Sequence, residues 1–381
     1  MATTAAPQAI VEPRLLCGPG PANASPGVME ALARPPLGHL DPDIFPILLE
    51  TAQMLAAAYL RDEGDGMSIP LSSTGTSGME TGMAALLEPG DTAIVGVNGY
   101  FGRRLAEIAR RYGANVIEIE ADWGQAVSNG EILAALEANP DTRVVAVVHA
   151  ETSTGVRHDL AELGEAMKGG DPFLLADCVT SLGGSELRLS DWGVDYAYSC
   201  SQKCLGMSSG MSPISVSQRA LEHAKAKQPD FNFYMDLALL EDYWINRPPT
   251  YHHTLASPML FGMHEALREV LGEGLEARWE RHARAGAHLQ EQIRERGMTL
   301  VADPDHQLAQ LTAVHVPEGI DGKEVQLRML REHGIEIGGG LPGAPAMWRI
   351  GLMGTNASIE TADRVLAALD AVLADAPVAA G

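Results

Sequence analysis

The stretch DYAYSCSQKCLG, residues 195–206, sets Lys203 among serines, cysteines, a glutamine and a glycine where a short apolar run ends. A lysine with no charged neighbours at a strand end is placed to lose its hydration, and a neutral amine attacks a carbonyl. Upstream, PFLLAD ends in Asp177, a carboxylate that is costly to bury without a partner. A third segment, LSSTGTSGMETG, puts Thr74, Gly75 and Thr76 at the head of a helix. Unpaired N–H groups and the helix dipole favour an anion there, a phosphate above all. No GK[ST] follows, so this is not a nucleotide P-loop.

An amine, a strand-end acid and a phosphate cradle together point to pyridoxal 5′-phosphate. The lysine would form the Schiff base, the acid would pair with the pyridinium nitrogen, and the helix tip would hold the phosphate. His149, His252 and His253 match no zinc spacing and read as structural or interface residues, so no metal is expected.

These groups need strands to carry them. DTAIVGV (91–97), NVIEIE (115–120), TRVVAVVHA (142–150), PFLLADCV (172–179) and VDYAYSC (194–200) read as buried strands. Helical segments over Thr76–Leu87 and YFGRRLAEIARRYG alternate with them. That rhythm implies an α/β fold, a mostly parallel sheet with helices on both faces and ligands at the carboxyl ends of its strands. From about Met259 the text becomes one or two long amphipathic helices leading to a second unit, with a strand at QLTAVHVP, a helix near Lys323–His333, WRIGLM and a closing helix. The division expected is an arm over 1–14, a large domain over 15–265 and a small α/β domain over 266–381.

Composition narrows the partners. The 381 residues carry a net charge of -23, which argues against nucleic acid or an anionic membrane as a partner. An anionic ligand must find a local positive site against that field. The four cysteines lack disulfide-scaffold or CxxC spacing, the start lacks a signal-peptide pattern, and no apolar run is long enough to span a bilayer. A cytoplasmic protein is the reading.

HAETSTGV (149–156), DCVTSLGGSELRLSDWGVDYAYSCSQKCL (177–205), TYHHT (250–254) and WRIGLMG (348–354) resemble the alanine–glyoxylate and serine–glyoxylate aminotransferases, class V of the fold-type I enzymes. The resemblance implies a large domain with a seven-stranded sheet and a homodimer whose active site is shared between subunits. It implies Lys203 as catalytic lysine, Asp177 at the pyridine nitrogen, and Phe101 stacked on the ring where many relatives have tryptophan. Thr74, Gly75, Thr76 and Gln202 would hold the phosphate, and Tyr251 and Thr254 would reach the phosphate in the partner subunit. Thr152 would sit beside the ring oxygen, and Arg349 would clamp the substrate carboxylate. Gly38 and His39, in PLGHLDPDIF, fall in a segment near the substrate, where the histidine fits glyoxylate-using relatives better than ureidoglycine-using ones. GMSSG (206–210) replaces the Pro-Pro-Gly of many relatives, so a looser loop is expected there. The implied substrates are a small amino acid, alanine or serine, and a 2-oxo acid, glyoxylate. The alternatives are other class V transaminases of the ureidoglycine, pyridoxamine, aminoethylphosphonate or hydroxykynurenine type.

Overall fold

The computed structural model describes residues 12–227 and 232–375. Most of the expected N-terminal arm, residues 1–11, therefore lies outside the described residues. In chain order the main sheet comprises β1 (Met67–Leu71), β2 (Thr92–Val97), β3 (Asn115–Glu120), β4 (Thr142–Val148), β5 (Phe173–Asp177), β6 (Tyr196–Tyr198) and β7 (Ser212–Val216). Its seven strands lie in the order β1-β7-β6-β5-β4-β2-β3, and β7 alone runs against the rest.

The strands read as continuous apolar runs because both faces are covered. Along β4, Val144, Ala146 and Val148 enter one core, while Val145 and Val147 enter the other. The first core is closed in part by α1 (Ile44–Tyr59), α2 (Gly75–Leu86) and α3 (Tyr100–Arg111).

Sequence patterning does not reveal β1 and β7, and proline is the reason. Pro70 and Pro213 face each other across the pair, and a proline cannot donate to a ladder. Pro213 still accepts from Ser199 N–H at 2.7 Å, and the Ser212 hydroxyl donates to the Ser199 carbonyl at 2.9 Å in place of the missing amide.

After α4 (Ser257–Glu273) the second unit holds α5 (Leu275–Glu295), β8 (Leu311–His315), α6 (Gly322–His333), β9 (Gly338–Gly339), β10 (Met347–Gly351) and α7 (Ile359–Leu373). Its sheet is β8-β10-β9, antiparallel, over a core that includes Leu289, Val325, Trp348 and Val365. The long amphipathic stretch resolves into two helices because Gly274 takes φ +88°, a left-handed conformation that favours glycine.

A boundary between 265 and 266 falls inside α4, which buries Leu260, Met263 and Leu267 in the cores of the large unit. Leu15 and Leu16 pair with Ile335 and Glu336, and Cys17 lies in the core of the small unit. We propose that the division lies at Gly274, with residues 15–17 belonging to the small unit.

Candidate active site

Strands β5 and β6 end together, with Asp177 registered between Val148 and Tyr198. Residues in register share a face, so the Tyr198 side chain stands beside the carboxylate. Its hydroxyl donates to Asp177 Oδ2 at 2.5 Å, and Val179 N–H donates to Oδ1 at 2.8 Å. Asp177 is buried, which pushes its carboxyl up to about 7 although both hydrogen bonds favour the ionised form.

Lys203 follows β6 on a turn that is laced from both sides. Ser201 N–H reaches the Met211 carbonyl, its hydroxyl the Ser208 carbonyl at 2.6 Å, and Met207 N–H returns to Ser201 at 3.0 Å. Ser201 thus ties the 206–210 loop at Met207 and Ser208 and its far flank at Met211.

The Lys203 side chain is half-buried. Desolvation lowers its pKa, Arg349 adds to this, and Cys200, Cys204 and Asp177 oppose it. Nζ donates to the Pro19 carbonyl. The segment crossing over it needs a glycine, because a Cβ on Gly20 would stand 2.3 Å from Nζ.

A cavity of about 180 Å3 joins these groups, lined among others by Thr74, Gly75, Thr76, Phe101, Asp177, Gln202 and Lys203. Seven residues expected from scattered parts of the sequence thus meet at one place. Thr74 caps α2 without a side-chain hydrogen bond. Gly75 fits closely: a Cβ there would press on Val179 and Cys200 at 3.2 and 3.3 Å. Gln202 Oε1 is buried with no partner among the described residues. A larger hollow of about 590 Å3 lies elsewhere, between Arg61, Asp65, Asp195 and Arg219. Its two arginines are already paired, at 2.9 and 2.6 Å.

The other expected residues lie outside the lining of this cavity. Arg349 is buried on β10, where Nε donates to Gly339 O at 2.7 Å and Nη1 to Thr152 O at 3.3 Å. Nη2 makes no hydrogen bond among the described residues and so keeps donors for a ligand. Burial lowers the Arg349 pKa to about 10, and Glu151 opposes the shift. Thr152 itself is buried. Gly38, Tyr251 and Thr254 are exposed. Tyr251 packs on His39 with ring centroids 5.0 Å apart, so these residues form a surface of their own.

Three neighbours escape the sequence reading. Tyr198 is found only through the strand register. Glu151 is fully buried and caps α3 from a distant loop, accepting from Phe101 N–H at 3.0 Å and Gly102 N–H at 3.2 Å. This fixes the helix turn that carries Phe101. Arg104 lines the cavity beside Phe101. Its spacing three residues on from Phe101 was the available signal, since i and i+3 share a helix face.

The chain is similar to known proteins over most of its length. A sequence model described as Aminotransferase class-V matches residues 68–362. The chain is 39% identical over 366 residues to the alanine–glyoxylate aminotransferase of Drosophila melanogaster, covering 94% of this chain and 92% of that one. It is 36% identical over 380 residues to the (S)-ureidoglycine–glyoxylate transaminase of Bacillus subtilis, covering 94% and 90%. The crystal structure of an alanine–glyoxylate aminotransferase from Nostoc sp. superposes with a TM-score of 0.93 at 42% identity, covering 97% of each chain. The chain thus belongs to the class V aminotransferases, fold-type I enzymes that use pyridoxal 5′-phosphate to move amino groups between amino acids and oxo acids.

Proposed function

We propose that the enzyme takes the amino group of alanine or serine and delivers it to glyoxylate, releasing pyruvate or hydroxypyruvate and glycine. The observation that carries this reading is the meeting of Lys203, Asp177 and the α2 tip in one small cavity. Glyoxylate stands in the names of both curated relatives, whereas their donors differ. The acceptor therefore has more support than the donor.

The residues fit the cofactor on two counts. The α2 tip, whose N-cap Thr74 makes no side-chain hydrogen bond, keeps N–H donors for a phosphate, and Asp177 is a buried acid awaiting a cationic partner. When bound, pyridoxal 5′-phosphate supplies an aldehyde to accept the amine and a ring that draws electrons from the substrate Cα.

The protein's own residues would divide the rest of the work. Thr74, Gly75, Thr76 and Gln202 hold the phosphate, while Phe101 packs on the ring. Asp177, oriented by Tyr198 and Val179, keeps a proton on the ring nitrogen. Burial favours the neutral Lys203 amine, whose Nζ would take the proton from substrate Cα. Arg349 grips the substrate carboxylate through its remaining donors, and Thr152 lies alongside.

A homodimer with shared sites is proposed with this. Tyr251 is 54% exposed and Leu40 50% exposed, beside His39 and away from their own cavity. Such a surface suits presentation of Tyr251, Thr254, Gly38 and His39 to a second copy. The four cysteines are buried and free, which accords with the expected cytoplasmic location, and no described helix is long and apolar enough to cross a membrane.

The test is a half-reaction on the purified, cofactor-loaded enzyme. L-Alanine or L-serine should bleach the yellow absorbance band, and glyoxylate should restore it. If both donors fail while (S)-ureidoglycine succeeds, the donor assignment is wrong.

A further inference from the structure

The residues expected at the phosphate, Thr74, Gly75, Thr76 and Gln202, are all neutral, in a protein whose net charge is -23. A dianion entering such a field is opposed by it unless a cation stands at the seat. Among the described residues two cationic ones line the cavity, Lys203 and Arg104. Lys203 is committed to the aldehyde end, which leaves the phosphate end to Arg104.

Arg104 lies on the first turns of α3 and is held on three sides. Its Nη1 donates to Thr76 Oγ1 at 3.1 Å, in the first turn of α2. Its guanidinium carbon stands 5.2 Å from the Phe101 ring centre and 5.0 Å from that of Tyr100. Among the described residues it forms no salt bridge, so no carboxylate among them neutralises its charge. A planar guanidinium fixed by two aromatic faces and a threonine hydroxyl is set in place before a ligand arrives.

We propose that Arg104 supplies the positive charge that recognises the cofactor's phosphate, acting at the α2 tip beside Thr76. This rests on seating the phosphate at that tip.

The test compares two ligands on cofactor-stripped protein followed by absorbance: pyridoxal 5′-phosphate and pyridoxal, which lacks the phosphate. Arg104→Gln should weaken pyridoxal 5′-phosphate by about tenfold to a hundredfold, the range for a hydrogen bond to a charged group. Binding of pyridoxal should stay within about twofold of the wild type, well under 1 kcal/mol. Inorganic phosphate should compete less well with the variant, and Arg104→Lys should recover part of the loss. Equal losses for both ligands, or no loss for either, would overturn the inference and leave Arg104 as packing alone. A wild-type protein in which inorganic phosphate does not compete at all would overturn the phosphate seat itself, and this inference with it.

Discussion

Asp177→Asn should make the cofactor-free protein more stable above neutral pH while it weakens cofactor binding. Burial raises the Asp177 pKa from 3.8 to about 7. Between those values the folded chain holds a proton that the unfolded chain has released, so stability falls as pH rises. A shift of about three units corresponds to roughly 4 kcal/mol across the full span, of which about 3 kcal/mol lies between pH 5 and pH 8. Asparagine keeps an acceptor for Val179 N–H, and its amide can donate to the Tyr198 oxygen after the hydroxyl turns, so little else is lost. Urea denaturation of both proteins at pH 5 and pH 8 reads the effect directly. The wild type should lose about 3 kcal/mol more than the variant across that interval, and other titrating groups cancel in the comparison. Parallel pH dependences would refute the idea that the folded protein holds an unpaired acid in wait for a cationic ring.

Three buried histidines give the opposite slope at lower pH. Desolvation holds His149 and His282 near about 3 and His158 near about 4, from an ordinary 6.5. Below pH 6.5 the unfolded chain takes protons that the native one refuses, so stability drops as pH falls, and replacing His158 with Gln should recover about 2 kcal/mol of the loss between pH 7 and pH 5 in urea titrations. Gly20→Ala should weaken capture of pyridoxal 5′-phosphate on Lys203 and destabilise the fold by about 1 kcal/mol or more, because φ is +105° and the added methyl would meet Nζ. Spectroscopic titration and denaturation check both parts, and wild-type behaviour in both would discredit the close approach.

How much could be read from the chain depended on whether a signal was local. β4 and β5 are β-branched or leucine-rich runs buried on both faces, and they announce themselves. Lys203 is chemically odd for its surroundings and stood out by itself, whereas Asp177 and Thr74–Thr76 gained meaning only when set beside it. β1 and β7 did not stand out, because Pro70 and Pro213 break the pattern and Ser212 repairs the ladder through a side chain. Glu151 and Tyr198 act through register and loop approach across many residues, which no window of sequence displays. The helix break at Gly274 was blurred for a related reason. One glycine in an amphipathic run can be tolerated or can break the helix, and here its positive φ decides.

The central claim is that Lys203 carries the cofactor. Borohydride reduction of the yellow holoenzyme, followed by proteolysis and mass spectrometry of the peptides, tests it most directly. The account predicts a pyridoxyl phosphate adduct on the peptide containing Lys203, and none in Lys203→Ala. An adduct on another lysine, or an equal yield from the alanine variant, would contradict it.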